Sequence, residues 1–341
     1  MLLSWNTTNQ CNLYCDHCYR DAGAKVEDEL STAEAKNLID EAVKAGFRIM
    51  IFSGGEPLLR PDLLDLIAYA AGQGLRPVLG SNGTLLTPDL ARKLKKAGAR
   101  AIGISLDSCD PARHDRLRQK AGAWQEALDG MAACREAGLP FQVHTTVFEW
   151  NQDELEKLTD FAVDLGARAH HFFFLVPTGR AASIEAESLR AEAYEATLRR
   201  ILQKQQQVDI ELKPTCAPQF MRIAREMGIP ARYSRGCLAG IAYCIISPQG
   251  NVQPCAYLNL PAGNVREKPF SHIWQESEVF RILRTENYGG GCGRCGYKKI
   301  CGGCRARAWY YHGDYMAEEP WCLYQENGGR KSEVRASEGT G

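Results

Sequence analysis

No charge of one sign dominates this chain, since 41 Lys and Arg balance 41 Asp and Glu. That balance leaves no electrostatic footprint for nucleic acid or for an anionic membrane surface. No apolar run approaches the roughly twenty residues a membrane-spanning helix needs. The start, Met1-Leu2-Leu3-Ser4-Trp5, lacks the charged n-region of a secretory signal. A cytoplasmic protein is therefore expected, with no nucleic-acid partner and no membrane span. Nor is there an internal repeat beyond the strand–helix period described below. What the chain does have is cysteine, fourteen in 341 residues. In a secreted protein this number would suggest disulfides; without a signal it points to a reducing compartment and metal ligation. With 45% hydrophobic and 24% charged residues, an ordinary soluble core is within reach. The length suits one large domain plus a smaller one.

The cysteines are clustered. Cys11, Cys15 and Cys18 form C-x3-C-x2-C, Cys109 and Cys134 stand alone, and nine lie between Cys216 and Cys322. Three thiolates leave a four-iron cluster one ligand short, and an iron with an open position can bind a substrate. A zinc site generally supplies four ligands in paired clips, and no fourth Cys or His completes one near the triplet. His17, the only local candidate, is wedged between two of its cysteines. Two separate metal-binding regions follow from this distribution. Cys109 and Cys134 are expected to be buried thiols, the usual state of isolated cysteines.

From residue 2 to about 176 short apolar runs alternate with amphipathic stretches of helical length. Strands are expected at Leu2–Thr8, Arg48–Ser53, Arg76–Ser81, Arg100–Leu106, Phe141–Val147 and His170–Val176. Helices are expected between them at Thr32–Ala45, Pro61–Gln73, Pro88–Ala97, Trp124–Ala137 and Gln152–Leu165. Ser31-Thr32-Ala33-Glu34 has the form of a capping box, and Pro61 and Pro88 suit first-turn positions. Gly46, Gly98, Gly138 and Gly166 each stand where a helix should end. Six βα units imply a parallel sheet with right-handed crossovers, too short for an eight-fold barrel. The expected fold is α/β, a partial (βα)6 TIM-like barrel with its active site at the C-terminal strand ends and a Cys-rich C-terminal domain. A long polar helix over Ile184–Gln207 and a hairpin (Ala242–Ser247, Asn251–Tyr257) follow, with metal clusters expected to replace a large core there.

The strand ends carry the chemistry. After the second strand comes Ser53-Gly54-Gly55-Glu56-Pro57, where adjacent glycines allow close backbone approach and Glu56 offers acceptors to an ammonium group. The third ends in Ser81-Asn82-Gly83 and the fourth in Ser105-Leu106-Asp107-Ser108. Singly these are more often helix caps than ligand contacts, but together they converge on one face. The segment CNLYCDHC with SGGEP, SNG and SLDS, in this order, resembles the radical S-adenosylmethionine (SAM) enzymes over roughly residues 1–180. The resemblance implies a cluster on Cys11, Cys15 and Cys18 whose open iron chelates S-adenosyl-L-methionine. It implies Glu56 with Gly54 and Gly55 at the amino group, Asn82, Ser105 and Asp107 near the carboxylate or ribose, and His17 against the adenine. One electron would then cleave the sulfonium to a 5′-deoxyadenosyl radical that takes a hydrogen from the substrate.

Farther along, Cys237-x12-Gly250-x4-Cys255, Cys292-x2-Cys295-x5-Cys301-x2-Cys304 and Cys322 resemble the SPASM extension of these enzymes. That extension holds two auxiliary clusters, so three [4Fe-4S] clusters are implied. Cys292, Cys295, Cys301 and Cys322 would hold the outer one, and Cys237, Cys255 and Cys304 with Cys244 the inner; the alternative for Cys244 is a strand residue with a buried thiol, which leaves an iron open for substrate. The spacing Cys301-Gly302-Gly303-Cys304 is one residue shorter than the family's C-x3-C, and Cys216 falls outside the pattern. Flanking text, Trp5–Gln10, Tyr19–Gly23, Arg235–Gly240 and Val252–Cys255, resembles the haem-biosynthesis branch. The resemblance implies a tetrapyrrole substrate, with oxidative decarboxylation of Fe-coproporphyrin III to haem b as the leading reaction. Acetate removal from didecarboxysiroheme, haem d1 precursor processing and peptide maturation are the alternatives. A ferredoxin or flavodoxin would exchange electrons. Arg113, His114, Arg116, Arg118, Lys120 and Arg180 are candidate partners for substrate carboxylates, against a solvated helix start, and Phe172–Phe174 could line a macrocycle or pack in the sheet. The domains expected are 1–180 for the barrel, 181–230 for a helical linker, 231–325 for the SPASM part and 326–341 for a disordered tail.

Overall fold

The computed structural model describes residues 1–230 and 232–324; the expected tail over 326–341 lies outside them. The barrel half runs β1 (Leu2–Asn6), α1 (Thr32–Lys44), β2 (Ile49–Ser53), α2 (Leu63–Gly72), β3 (Arg76–Ser81), α3 (Pro88–Ala97), β4 (Ala101–Ser105), α4 (Pro111–Arg118), α5 (Ala123–Ala137), β5 (Phe141–Val147), α6 (Leu155–Asp164) and β6 (Ala169–Phe174). Then come α7 (Ala191–Gln205), β7 (Glu211–Thr215), α8 (Phe220–Glu226), β8 (Tyr243–Ile246), β9 (Asn251–Gln253) and β10 (Gly263–Asn264). The chain continues through α9 (Phe270–Glu276), α10 (Glu278–Thr285), α11 (Gly290–Arg294) and α12 (Arg305–His312). The strands form a single open sheet in the order β10-β9-β8-β1-β2-β3-β4-β5-β6-β7.

Local chemistry explains the helix limits. Ser31 accepts from the Glu34 N–H while Glu34 accepts from the Ser31 N–H, so the capping box that starts α1 is complete. Thr87 caps α3 ahead of Pro88, and Gly98 ends it at φ +108°, a conformation that needs glycine. In β5 the alternation is clean: Phe141, Val143, Thr145 and Val147 are buried on the helix side, and Gln142, His144 and Thr146 face the barrel interior. Of the Phe172–Phe174 run, Phe172 and Phe174 are core, and Phe173 lies inside the barrel against His144.

Two features were not expected. Residues 181–230 contain β7, which pairs with β6 in parallel and extends the sheet. The Cys-rich part also joins the same sheet, because β8 pairs in parallel with β1, Leu3 opposite Cys244 and Trp5 opposite Ile246. Its hydrophobic burial is substantial rather than replaced by metal. Phe270, Ile273, Trp274 and Phe280 belong to the main core, with Phe270 and Trp274 ring centroids 5.4 and 4.9 Å from that of Phe47. Each such side chain contributes about 1.5–3 kcal/mol on burial.

Candidate functional site

The first cysteine loop leaves β1 at the C-terminal edge of the sheet and is bolted to its neighbours by backbone bonds. The Cys11 N–H donates to Gly23 O (2.8 Å), Gly55 N–H to Thr8 O (2.8 Å) and Glu56 N–H to Gln10 O (2.8 Å). A Cβ on Gly54 would stand 2.5 Å from Thr8 O, and one on Gly55 would stand 2.3 Å from Gln10 O. The close approach these glycines permit is therefore to the chain's own cysteine loop. Glu56 is buried beneath it. One carboxylate oxygen accepts from Ser81 Oγ (2.9 Å) and Leu58 N–H (3.1 Å), the other from Asn82 N–H (2.8 Å). Burial pushes its pKa up to about 7 against those three donors. A carboxylate has about four acceptor sites, so one remains for an ammonium group. Asn82 donates to Asn12 Oδ1 (2.9 Å) beside Cys11, and Ser105 ends β4 on the barrel side.

Two arginines grip Cys15. Arg180 Nε donates to its carbonyl (2.9 Å) and Nη1 to that of Ala22 (2.9 Å), with the guanidinium 3.8 Å from the Tyr14 ring centroid. Arg180 thereby holds the loop through Nε and Nη1. Arg118 Nη1 donates to Cys15 Sγ (3.8 Å), and its Nε and Nη2 reach Asp107 Oδ2 at 2.8 and 2.6 Å. Burial raises the Cys15 thiol pKa, and Arg118 opposes this. Asp107, expected beside SAM, has one oxygen on Arg118 and the other on the Thr146 N–H (2.9 Å). Burial alone would raise its pKa, yet Arg118, with His17 and His114, holds it below the usual carboxylate range.

The expected basic run divides by helical period. Along α4, His114, Leu117 and Arg118 are buried, and Arg113 and Arg116 are exposed. Arg113 turns to Trp150 O (3.4 Å) and Glu154, whereas Gln119 Nε2 joins Arg116 O (2.9 Å) to Asp16 Oδ2 (3.0 Å) of the cysteine loop. His17 packs edge-on to Phe148 with its Nδ1 buried and unpartnered. Burial, helped by Arg118, takes its pKa down to about 3.

The nine C-terminal cysteines form two sets and one outlier. Cys216, Cys237, Cys255 and Cys304 all lie within electrostatic range of one another. Cys244 does not join them. It points from β8 into the apolar core opposite Leu3, fully buried, so the expectation that it completes the inner set gives way to Cys216. Cys216 follows β7 as Cys11 follows β1, and it has φ +59°, unusual for a residue with a side chain. Cys292, Cys295, Cys301 and Cys322 line one cavity of about 410 Å³ together with Arg222, Tyr288 and Glu319. The short C-x2-C spacing is no obstacle. Gly302 and Gly303, at φ +78° and +57°, turn the chain so that Cys301 joins the outer set and Cys304 the inner. Among the described residues no three Cys, His, Asp or Glu converge as ligands of a single ion would. Cys134 is a buried core thiol as expected, and Cys109 is half-buried.

Sequence reasoning left Cys216 as a spare outside the pattern and did not single out Arg305, Arg307 or Glu319. The chain shows two matches to family descriptions, "Radical SAM superfamily" over residues 5–162 and the SPASM "Iron-sulfur cluster-binding domain" over residues 237–305. The AdoMet-dependent heme synthase of Methanosarcina barkeri (strain Fusaro / DSM 804) is 44% identical over 338 residues, covering 95% of this chain and 96% of that protein. The chain belongs to the radical SAM superfamily. The Fe-coproporphyrin III synthase of the same organism is 31% identical over 345 residues, covering 93% of this chain and 86% of its own. Streptococcus suis SuiB bound to S-adenosylmethionine shares the fold, with a TM-score of 0.74 at 17% identity over 94% of this chain and 76% of that one. The protein is accordingly a radical SAM enzyme that binds iron–sulfur clusters and S-adenosylmethionine. Among the described residues no helix is long and apolar enough to cross a membrane.

Proposed function

We propose that this enzyme modifies tetrapyrrole side chains, and that its reaction is the oxidative decarboxylation of Fe-coproporphyrin III propionates to the vinyl groups of haem b. The observation that carries this is 44% identity, end to end, to an AdoMet-dependent heme synthase. Acetate removal from a didecarboxysiroheme stands second, because identity to the Fe-coproporphyrin III synthase is only 31%. When bound at Cys11, Cys15 and Cys18, a cluster with S-adenosylmethionine supplies hydrogen-atom abstraction. The residues around it bind and orient: Glu56 keeps one acceptor for the SAM amino group beside Gly54 and Gly55, with Asn82 and Ser105 at the same edge. Arg118, held by Asp107, and Arg180 fix the Cys15 segment. In each conversion a propionate loses one hydrogen atom and carbon dioxide, leaving one electron to be removed. Two further clusters, three in all, would serve that need, one on Cys216, Cys237, Cys255 and Cys304 and one on Cys292, Cys295, Cys301 and Cys322. The outer set lies beside exposed Arg294 and Lys299, a suitable place for a small carrier such as ferredoxin or flavodoxin to exchange electrons.

Anaerobic incubation with SAM, reductant and Fe-coproporphyrin III, followed by mass spectrometry, tests the reaction. Stepwise loss of carbon dioxide and two hydrogens per reacting propionate is expected. Deoxyadenosine formed without any change in tetrapyrrole mass would refute it, and a mass change only with didecarboxysiroheme would favour the second reaction.

A further inference from the structure

Between the two C-terminal cysteine sets lies a buried ion pair that the proposed chemistry does not itself require. Arg307 Nη1 donates to Glu319 Oε1 at 3.1 Å, and the two side chains are 0% and 1% exposed. The other oxygen of Glu319 accepts from the Cys304 N–H at 2.6 Å. The backbone N–H of Glu319 donates to Cys292 Sγ at 3.3 Å. Glu319 therefore touches the inner set through its carboxylate and the outer set through its amide. Arg307 closes the arrangement on the inner side, with Nη2 on Cys216 O (3.1 Å) and its guanidinium 4.1 Å from the Trp321 ring centroid. Gly303 packs closely here: a Cβ on it would lie 3.1 Å from the Glu319 Cβ and 3.2 Å from Cys292 Sγ.

Stability alone is a weak reason for this pair. Removing two charges from water costs several kcal/mol per ion, and an apolar pair of equal volume commonly serves a fold as well. Beside a redox centre, however, a fixed buried charge has a direct effect. Cluster potentials respond to local charge and to hydrogen bonds on sulfur, and a low dielectric weakens the screening. Reduction adds negative charge, which a carboxylate disfavours and a guanidinium or an N–H···S bond favours.

We infer that Arg307 and Glu319 form a fixed electrostatic link that sets the reduction potentials of the two C-terminal clusters together. This rests on the proposal that both sets hold clusters. Arg307 and Glu319 are thus positioning residues for electron flow.

An anaerobic redox titration of the full, cluster-loaded chain, followed by electron paramagnetic resonance, provides the test. E319Q keeps the size and a carbonyl for the Cys304 N–H but removes the charge. Both potentials should rise, by about tenfold in the reduction equilibrium or more, ~59 mV for a one-electron couple. R307Q should lower the inner potential more than the outer, R307K should leave both near the parent value, and the double variant should fall between. A purely structural pair would alter iron content or melting temperature without shifts of opposite sign. Parent potentials in an iron-replete E319Q overturn the inference. If E319Q loses iron, R307Q decides: a lowered inner potential supports the link and an unchanged one refutes it. Iron loss in both variants also refutes it, because a link that only tunes potential is dispensable for assembly. Failure of the underlying proposal would be visible in the parent protein, as fewer than two C-terminal cluster signals.

Discussion

Cys216 holds a backbone conformation, φ +59°, that costs of order 1–3 kcal/mol for a residue with a Cβ and persists only where surroundings over-determine it. Its three cysteine neighbours, Cys237, Cys255 and Cys304, come from the α8–β8 loop, the end of β9 and the α11–α12 loop, three separate parts of the chain. Cys216→Ser should therefore remove about a third of the iron from reconstituted protein, one four-iron cluster of three. Cys244→Ser should keep the full amount, as iron and sulfide assays on the two variants would show. The reverse result would restore Cys244 to the inner set. Here the sequence was legible only in part. The resemblance to the SPASM extension implied the outer four, and the structure brings them to one cavity. Spacing could not identify Cys216, whose partners begin twenty or so residues away and meet it only once β7 is in place. Glu319 and the buried arginines gave no signal at all, since an acidic or basic residue reads as surface until its burial is known.

At the scale of single elements, the periodic stretches were the legible ones. β5 and α3 run between the expected residues, and their alternation and caps are complete in the sequence alone. β7 was not expected, and Pro214 stands within it. It is tolerated because β7 is the last strand of the sheet, where a missing N–H goes unneeded. α4 was read as a charged run, and its buried face is only His114, Leu117 and Arg118. The start of α1 ties the two halves of the molecule together. Glu34 completes its capping box and accepts from Arg266 Nε at 2.6 Å. Those bonds, from Arg266 first and then Ser31, take its pKa down to about 2. A lowered acid stabilises the fold above its ordinary value of 4.5, and that contribution is lost as pH falls toward 2. Glu34→Gln should cost about 1 kcal/mol at neutral pH, mostly through the cap, with little from the exposed pair. The difference from the parent should shrink in melts taken toward pH 3; a difference that is constant with pH would count against the ion pair.

For the whole molecule, the buried histidines set the acid limb of stability. Burial lowers the pKa of His17, His114, His144, His170 and His171, with His170 down to about 3. Below the ordinary value of 6.5 the unfolded chain takes up protons that the folded chain refuses. Each such group then removes ~1.4 kcal/mol of stability per pH unit until its folded pKa is reached. Glu56, raised to about 7, acts in the opposite sense between 7 and 4.5, one group against five. The melting temperature should fall steadily below pH 6.5. His170→Asn, in the core between Thr145 and Thr159 and away from the cysteines, should flatten that fall while lowering stability at pH 8. An unchanged slope would mean that His170 is protonated in the folded state.

The parallel pairing of β8 with β1 has a consequence for how the protein is made. β1 is an interior strand of the finished sheet, yet one of its neighbours is encoded about 240 residues later. A ribosome adding 5–20 residues per second needs roughly 12–48 s to supply it. For that interval the strand that leads into Cys11 has one open edge, the feature most prone to mispairing with another chain. The N-terminal cysteines can receive iron only after or during this wait, so slow elongation and iron shortage should compound each other as causes of insoluble protein.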